Sequence, residues 1–214
     1  EKKVSMIYWV ASALKSVANY KALDKISLPN LKTILFAGEV MPVKQFNYWR
    51  AHMAEDTVFG NLYGPTEAID TVTCYIVDRE FRDNEVLPLG HACDNCGLMV
   101  LRPDDTLIVE PDEEGELCIR GAYLALGYYN DPEKTNEVFT QNPLNSSYPE
   151  RIYRTGDIVK YNARGELVYV SRKDFQIKHQ GYRIELGEIE AAVGAIKSVL
   201  ECVCFYDTDN EFIV

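Results

Sequence analysis

The chain has 214 residues, of which 47% are apolar, enough for one large domain or for a medium domain with part of another. This apolar content predicts a sizeable core and argues against disorder. The net charge of −11 argues against binding to the phosphate backbone of a nucleic acid, though not against binding of a small nucleotide. No apolar run reaches the roughly 18 to 20 residues that span a bilayer.

Residues 1–76 alternate helix-like and strand-like segments. The first apolar segment, "MIYWVASALKSVANY", has helical spacing, and residues 43–53 are helical again. "LKTILFAGE" is an apolar strand that ends at Gly38-Glu39, and "TVFGNLYGPTE" is a strand followed by a turn. This rhythm predicts a parallel α/β layer. Because ligands collect at the carboxyl ends of parallel strands, we expect a site near Gly38, Glu39 and residues 63–67.

Residues 77–172 change to short strands separated by turns. "GLMVLRPDD", "GELCIRG" and "DIVKYNARGELVYV" are β-rich runs with turn chemistry between them, which predicts an antiparallel sheet or a small barrel. Asp131 followed by Pro132 predicts the start of a helix, with Asp131 as its N-cap. "QNPLNSSYPE" is predicted to be a loop.

Residues 173–214 predict a short amphipathic helix at "ELGEIEAAVGAI", followed by strands at "VLECVCFY" and "EFIV". The amino-terminal segment lacks an initiator Met and a signal-peptide cleavage site, and the chain stops inside an apolar strand. We therefore interpret the sequence as the interior of a longer chain.

The six cysteines predict no firm site. Cys93-x-x-Cys96 alone is a weak metal or redox signal, because a structural zinc site needs four ligands. Cys202 and Cys204 are expected on one face of a strand. We interpret all six as reduced thiols of a cytoplasmic protein.

The stretch "NLYGPTE" combines several chemistries at one bend. Tyr63 offers a ring that could lie against a flat ligand, and Thr66 offers a hydroxyl to an anionic oxygen. Glu67 could hold a hard cation such as Mg²⁺, which prefers oxygen ligands shared with phosphates. The set suits a nucleotide with its metal; the alternative is a plain β-turn with polar residues on the surface.

A second group of polar residues follows at "YRTGD" and "SRKDF". We interpret "YRTGD" as a turn that ends in Asp157, whose carboxylate could accept both hydroxyls of a ribose. Arg172 is available to a phosphate, and Asp174 follows two residues later. The alternatives are that Asp157 caps a turn and that Arg172 belongs to a solvated run of charges.

Taken in this order, the motifs resemble the adenylate-forming superfamily, and "GELCIRGAYLALGYYNDPEKT" matches that family nearly throughout. The resemblance covers essentially the whole chain. It implies an α/β plus β fold: the carboxyl-terminal part of a large adenylation domain, with a parallel α/β layer and an antiparallel barrel-like subdomain. The start of a small α+β domain would follow. "FAGEVMP" and "DFQIKHQGYRIEL" resemble D-alanine–carrier protein ligases, and "ELGEIE" resembles amino-acid adenylation domains, including those of peptide synthetases.

The resemblance implies a nucleotide site for ATP or AMP. Thr66 would touch the α-phosphate, Glu67 would hold Mg²⁺, and Arg172 would reach ribose or phosphate; these three carry the catalytic assignment. The positions implied on the adenine and ribose side are Gly38 and Glu39 at adenine, Tyr63 stacked on the base, Asp157 on the ribose hydroxyls, and Tyr169 near the sugar.

The remaining implied positions concern the acyl substrate and the carrier protein. Leu62, Asp70 and Thr71 would line the substrate pocket. An inward Asp70 would favour a polar or cationic amino acid, and the alternative is that Asp70 faces solvent. Asp174 would be the hinge of the small domain. Gly181 would lie where the phosphopantetheine arm of a carrier enters.

The family reaction has two halves: formation of an aminoacyl-AMP from ATP, then transfer of the acyl group to a carrier thiol. The family's phosphate-binding loop and catalytic lysine find no match within the 214 residues, so we expect negligible adenylation by this segment alone. Two alternatives stay open: an acyl- or aryl-CoA ligase of the same superfamily, and a non-catalytic nucleotide-binding or interaction module.

Overall fold

The amino-terminal part of the chain forms a five-stranded mixed sheet in a computed structural model, which describes residues 3–174, 176–196, 198–199, 201–207 and 212–214. The strand order follows the chain, with the first three strands parallel and the last two antiparallel. The strands are β1 (Met6–Val10), β2 (Thr33–Ala37), β3 (Val58–Tyr63), β4 (Thr73–Ile76) and β5 (His91–Ala92).

Two helices, α1 (Ala11–Asn19) and α2 (Val43–His52), follow β1 and β2. They supply Leu14, Phe46 and Trp49 to an apolar cluster shared with Ile34 and Phe36 of β2. The indole Nε1 of buried Trp49 donates to the Leu14 carbonyl oxygen at 2.9 Å, so the two helices are joined by a satisfied polar contact inside the core.

The predicted helix at "MIYWVASALKSVANY" is wrong for its first five residues. Met6–Val10 is a strand paired with β2, and the helix begins only at Ala11. Aromatic and β-branched residues favour a strand, and pairing with β2 satisfies their backbone groups. The spacing of apolar residues within this segment gives no information about its pairing with the distant strand β2.

The second sheet is antiparallel and consists of β6 (Cys96–Leu101), β7 (Glu114–Gly121), β8 (Phe139–Gln141), β9 (Arg151–Tyr161) and β10 (Leu167–Arg172). Its strand order is β10-β9-β7-β6, with the short β8 beside β9. A short helix, α3 (Pro132–Val138), precedes β8, and Asp131 caps it as predicted, accepting from the Lys134 N–H at 3.0 Å. An α/β layer followed by an antiparallel sheet is the fold class predicted from the sequence.

The predicted turn at "YRTGD" is wrong, because Tyr153 to Asp157 lie within the continuous strand β9. The strand accommodates a bulge there: Glu116 pairs with Ile158 while Cys118 pairs with Arg154. Gly156, in the centre of the bulge, has a φ of +73°. A glycine adopts that angle at no steric cost, so the motif changes the direction of a strand rather than ending it.

The chain divides into two compact units between Lys173 and Asp174. The second unit contains a hairpin, a helix and two very short paired strands. These elements are β11 (Gln176–His179), β12 (Tyr182–Glu185), α4 (Leu186–Gly194), β13 (Tyr206–Asp207) and β14 (Phe212–Ile213).

The predicted strand at "VLECVCFY" is wrong for residues 201–205, which lie outside any strand. The Cys204 N–H donates to the Glu190 side chain of α4 at 2.8 Å rather than to a neighbouring strand. Cys202 and Cys204 therefore do not share the face of a strand. Within the described part of the chain, no helix has the length and apolarity needed to cross a membrane.

Candidate active site

The loop after β3 folds back tightly on itself. The Val72 N–H donates to the Tyr63 carbonyl oxygen at 2.8 Å. A Cβ at Gly64 would lie 2.2 Å from the Asp70 carbonyl oxygen, so only glycine fits there. A single 3-10 turn, Thr66–Ala68, exposes Thr66 and buries Glu67.

The buried Glu67 carboxylate meets a hydroxyl from the second sheet region. Tyr128 donates its O–H to Glu67 Oε1 at 2.5 Å, across 61 residues of sequence. Glu67 is 6% exposed. No local signal in the sequence predicts Tyr128: it lies inside the matched block "GELCIRGAYLALGYYNDPEKT", but nothing local distinguishes it from the adjacent Tyr129.

Tyr63, Asp157 and Arg172 come together in the folded chain. The Tyr63 hydroxyl donates to Asp157 Oδ2 at 2.5 Å, and Arg172 Nη1 lies 2.8 Å from Asp157 Oδ1. Asp157 is 2% exposed. Burial, followed by the negative charge of Asp157, raises the pKa of Tyr63 well above its usual value. Tyr63 is therefore a neutral donor to Asp157 over the physiological pH range.

The bulge in β9 fixes the direction of Asp157. Its own N–H donates to Thr155 Oγ1 at 3.0 Å, and the Gly156 N–H donates to Glu116 Oε1 at 3.2 Å. The Gly156 carbonyl oxygen accepts the Lys173 N–H at 2.7 Å. These bonds hold the backbone at the bulge, and the Asp157 carboxylate points toward Tyr63.

Tyr169 and Arg172 both come from β10. Arg172 pairs in register with Asp157 of the neighbouring strand, which explains why their side chains meet. Tyr169 packs against the apolar cluster that contains Tyr63. These contacts place all four residues, Tyr63, Asp157, Tyr169 and Arg172, in one region of the first unit.

Gly38 and Glu39 follow β2 at the same sheet edge as the loop after β3. Continuing the parallel register of β2 and β3 puts Gly38 level with Tyr63, and Gly38 has a φ of +87°. Glu39 Oε2 accepts the Ser12 N–H at 2.9 Å. Because Val10, the N-cap residue of α1, offers no capping side chain, Glu39 supplies an anionic cap to that helix.

The three residues assigned to the substrate pocket lie on β3 and on the loop after it. Leu62 is half-buried in β3, whereas Asp70 is exposed with a φ of +75°. Tyr8 of β1 donates its hydroxyl to Asp70 Oδ2 at 2.8 Å. Partial burial raises the pKa of Tyr8, and a hydrogen bond with Thr71 offsets part of that effect. The sequence does not predict Tyr8 as a site residue, because the spacing of its segment indicates a helix.

The second unit carries the two remaining assigned residues. Asp174 is exposed, and its Oδ1 accepts the Gln176 N–H at 3.1 Å. Gln180 and Gly181 connect β11 to β12 with φ values of +51° and +82°. Two consecutive positive φ values are typical of a type I′ hairpin turn, which explains a glycine at 181.

All six cysteines are free thiols. Among the residues that the structure describes, no group of three or more His, Cys, Asp or Glu side chains is arranged to hold a metal ion.

Comparison with known proteins gives consistent matches. The sequence profile described as "AMP-binding enzyme" matches residues 1–129. The chain is 33% identical to zwittermicin A synthase of Bacillus cereus over 215 residues, covering 99% of the chain and 40% of that protein. It is 42% identical to the D-alanine–D-alanyl carrier protein ligase of Bacillus cytotoxicus over 164 residues, covering 76% of the chain and 31% of that protein.

Solved structures give the same result. A peptide-synthetase protein containing adenylation and PCP domains superposes with a TM-score of 0.86 and 28% identity, covering 95% of the chain and 35% of that protein. The Vibrio cholerae adenylation domain AlmE, in complex with glycyl-adenosine-5′-phosphate, gives a TM-score of 0.83 and 27% identity over 98% of the chain and 39% of that protein. The chain thus spans 40% or less of the length of these four relatives.

Proposed function

The chain belongs to the AMP-binding enzyme family, and we propose that it is part of an ATP-dependent ligase that activates an amino acid as aminoacyl-AMP. The parent protein would then transfer the acyl group to a phosphopantetheine thiol on a carrier protein. The observation that carries the proposal is the contact of Tyr63 with Asp157, because it joins two motifs that lie 94 residues apart. The relatives among peptide synthetases and D-alanine ligases favour an amino acid over other carboxylic acids.

Asp157 is proposed to accept the ribose hydroxyls of ATP. A carboxylate has about four lone-pair sites, so its bonds with Tyr63 and Arg172 leave acceptor capacity for a ribose. The bond from Tyr63 fixes its ring, which we propose meets the adenine, with Gly38 and Glu39 on the same side. Tyr169 packs against the apolar cluster that contains Tyr63, and Arg172 is proposed to bring positive charge to the ribose or the phosphates.

Thr66 and Glu67 are proposed to face the phosphates. A Mg²⁺ ion usually takes one or two carboxylates and completes its shell with water and phosphate oxygens, so a single Glu67 fits this role. Bound there, Mg²⁺ would neutralise charge that develops on the phosphates. The exposed Thr66 hydroxyl would donate to the α-phosphate. The protein's contribution to this half-reaction is positioning and charge stabilisation rather than covalent chemistry.

Leu62, Asp70 and Thr71 are proposed to line the amino-acid pocket. Asp70 offers a carboxylate beside the Tyr8 hydroxyl, which favours a substrate with a polar or cationic side chain. Asp174, the first residue of the second unit, is proposed as the hinge. Gly181, in the hairpin turn, is proposed to lie beside the carrier's phosphopantetheine arm.

The test is ATP–pyrophosphate exchange by the full-length protein against a panel of amino acids, fatty acids and aryl acids. We expect exchange that depends on an amino acid. Asp157→Asn should raise the KM for ATP about 10-fold or more, because a hydrogen bond to a charged group is worth about 1.5–3 kcal/mol. Asp112→Asn, at a surface carboxylate paired with Lys160, is the matched control and should leave the KM unchanged.

The panel separates the alternatives. If only fatty or aryl acids support exchange, the protein is part of an acyl- or aryl-CoA ligase rather than of an amino-acid ligase. Nucleotide binding without exchange would favour a non-catalytic module. In the same panel, Asp70→Val should weaken the response to polar or cationic amino acids, and an unchanged profile would remove Asp70 from the pocket.

A further inference from the structure

The burial of Glu67 requires a partner for its carboxylate. Moving an ionised carboxylate out of water is costly unless hydrogen-bond donors compensate. In this chain Tyr128 supplies such a donor, with its hydroxyl 2.5 Å from Glu67 Oε1. The bond fixes one carboxylate oxygen and thereby the orientation of the whole group.

Tyr128 is itself held firmly. Its N–H donates to Thr135 Oγ1 at 2.9 Å, and Thr135 Oγ1 donates to the Asp131 carbonyl oxygen at 2.7 Å. The Tyr128 ring packs edge-on against Phe139, with centroids 6.0 Å apart. The start of α3 therefore fixes the backbone of Tyr128, and β8 supports its ring.

The segment around Tyr128 also approaches Glu67 through the backbone. The Ala125 N–H donates to the Glu67 carbonyl oxygen at 2.8 Å. Between these two contacts the chain turns at Gly127, whose φ is +141° and where a Cβ would lie 2.4 Å from Thr135 Cγ2. Residues 125–128 thus hold Glu67 by its main chain and its side chain, and the turn that makes this geometry requires glycine.

We propose that Tyr128 is a positioning residue for the metal-binding carboxylate: it orients Glu67 so that Mg²⁺ and the ATP phosphates bind. This inference rests on the proposed function and adds a residue from outside the "NLYGPTE" motif. In this proposal Tyr128 acts through its hydrogen bond to Glu67 rather than on the metal or the substrate. Its effect is therefore expected in the metal dependence of the reaction rather than in the chemical step.

The experiment compares Tyr128→Phe with the wild type in the full-length protein. We expect the KM for Mg²⁺ in pyrophosphate exchange to rise about 5-fold, consistent with the loss of one hydrogen bond to a charged group, with kcat at saturating Mg²⁺ within about 2-fold. The Kd of Mn²⁺, measured by electron paramagnetic resonance with a non-hydrolysable ATP analogue, should rise by a similar factor. Tyr129→Phe is the matched control, since Tyr129 is fully exposed, and both constants should stay unchanged.

The outcomes separate a purely structural role of Tyr128 from a failure of the proposed function. A lower melting temperature with an unchanged Mn²⁺ Kd and Mg²⁺ KM would show that Tyr128 has a structural role alone and would overturn the inference. Absence of exchange in the wild type with every acid would overturn the proposed function instead. In that case the Mn²⁺ titration still tests whether Tyr128 orients Glu67.

Discussion

At the scale of single residues, the site is built from buried carboxylates with named donors. Asp157 is met by Tyr63 and Arg172, and Glu67 is met by Tyr128. Glu116, which is 9% exposed, accepts from the Gly156 N–H and lies 3.3 Å from Arg154 Nη1. Hydrogen bonds offset the desolvation cost of each charge, and they hold these carboxylates in defined orientations.

Cys118 is an ionisable group whose burial predicts a dependence of stability on pH. It is fully buried in β7, and burial, followed by the charge of Glu116, raises its pKa to about 12. The unfolded thiol ionises near its ordinary pKa, whereas the folded thiol keeps its proton. The contribution of Cys118 to the free energy of unfolding is therefore fully present below pH ~9 and is lost as the pH rises toward 12.

We expect the free energy of unfolding of the wild type to fall relative to that of Cys118→Ala above pH ~9, by up to about 1.4 kcal/mol per pH unit. Urea denaturation from pH 7 to 10.5 measures the difference, and comparing the two proteins removes the contribution of the other titrating groups. A constant difference across this range would contradict the assignment. A constant offset at neutral pH is expected from the cavity alone.

At the scale of elements, glycines set the geometry of two site segments. Gly156 allows the bulge in β9, and Gly64 allows the loop after β3 to close against Asp70. The loop then returns into β4 and places Glu67 in the interior with Thr66 outside. The positions of these side chains follow from close backbone packing rather than from turn propensity.

Gly64→Ala should destabilise the protein by about 2–3 kcal/mol, because the new Cβ would overlap backbone atoms that have no room to move. The same change should impair nucleotide binding, since the loop carries both Thr66 and Glu67. Gly187→Ala in α4 is the control, because a Cβ there meets nothing within 4 Å. That variant should be neutral or stabilising by up to about 1 kcal/mol. Equal stabilities of the two variants, measured by urea denaturation, would contradict the packing argument.

At the scale of the whole molecule, the core is distributed unequally between the two units. Three clusters of buried apolar residues lie in the first unit. Among the described residues of the second unit, only Leu186 and Gln176 are buried. Domains near 40 residues in length rarely fold without a metal, a disulfide or a partner. We therefore expect residues 1–173 to fold alone and the 41-residue segment 174–214, taken by itself, not to fold.

A chain that ends at Lys173 should keep a cooperative thermal transition within about 4 °C of the 214-residue chain, which corresponds to roughly 1 kcal/mol. A peptide spanning residues 174–214 should show no cooperative transition. Circular dichroism at 222 nm measures both. Loss of cooperativity in the shortened chain would mean that the second unit contributes to the core of the first.

The sequence predicts this fold best where the signal is local. Asp131 with Pro132 identifies the start of α3, and the apolar runs at β2 and β3 identify two strands. The resemblance to adenylate-forming enzymes, which rested on several motifs in order, is confirmed by the family match. These features depend on capping, alternation and motif order, all of which a single sequence displays.

The sequence predicts less where distant segments decide the outcome. Met6–Val10 becomes a strand because β2 lies beside it, and "YRTGD" stays in β9 because β7 and β10 flank it. The Tyr128 contact with Glu67 spans 61 residues, and only the folded chain brings the pair together. The adjacent tyrosines at 128 and 129 look alike in the sequence, but Tyr128 is half-buried whereas Tyr129 is fully exposed.

The bulge in β9 has a consequence for the end of the first unit. Arg172 is tied to Asp157, and the Lys173 N–H is tied to the Gly156 carbonyl oxygen, so the final two residues of the unit are anchored to the strand that carries the acidic group. As proposed, Asp157 would accept a ribose while it keeps its bonds with Tyr63 and Arg172, so the nucleotide would add a contact to the first of these two anchors. Occupancy of Asp157 would thereby strengthen the attachment at the junction from which residues 174–214 depart.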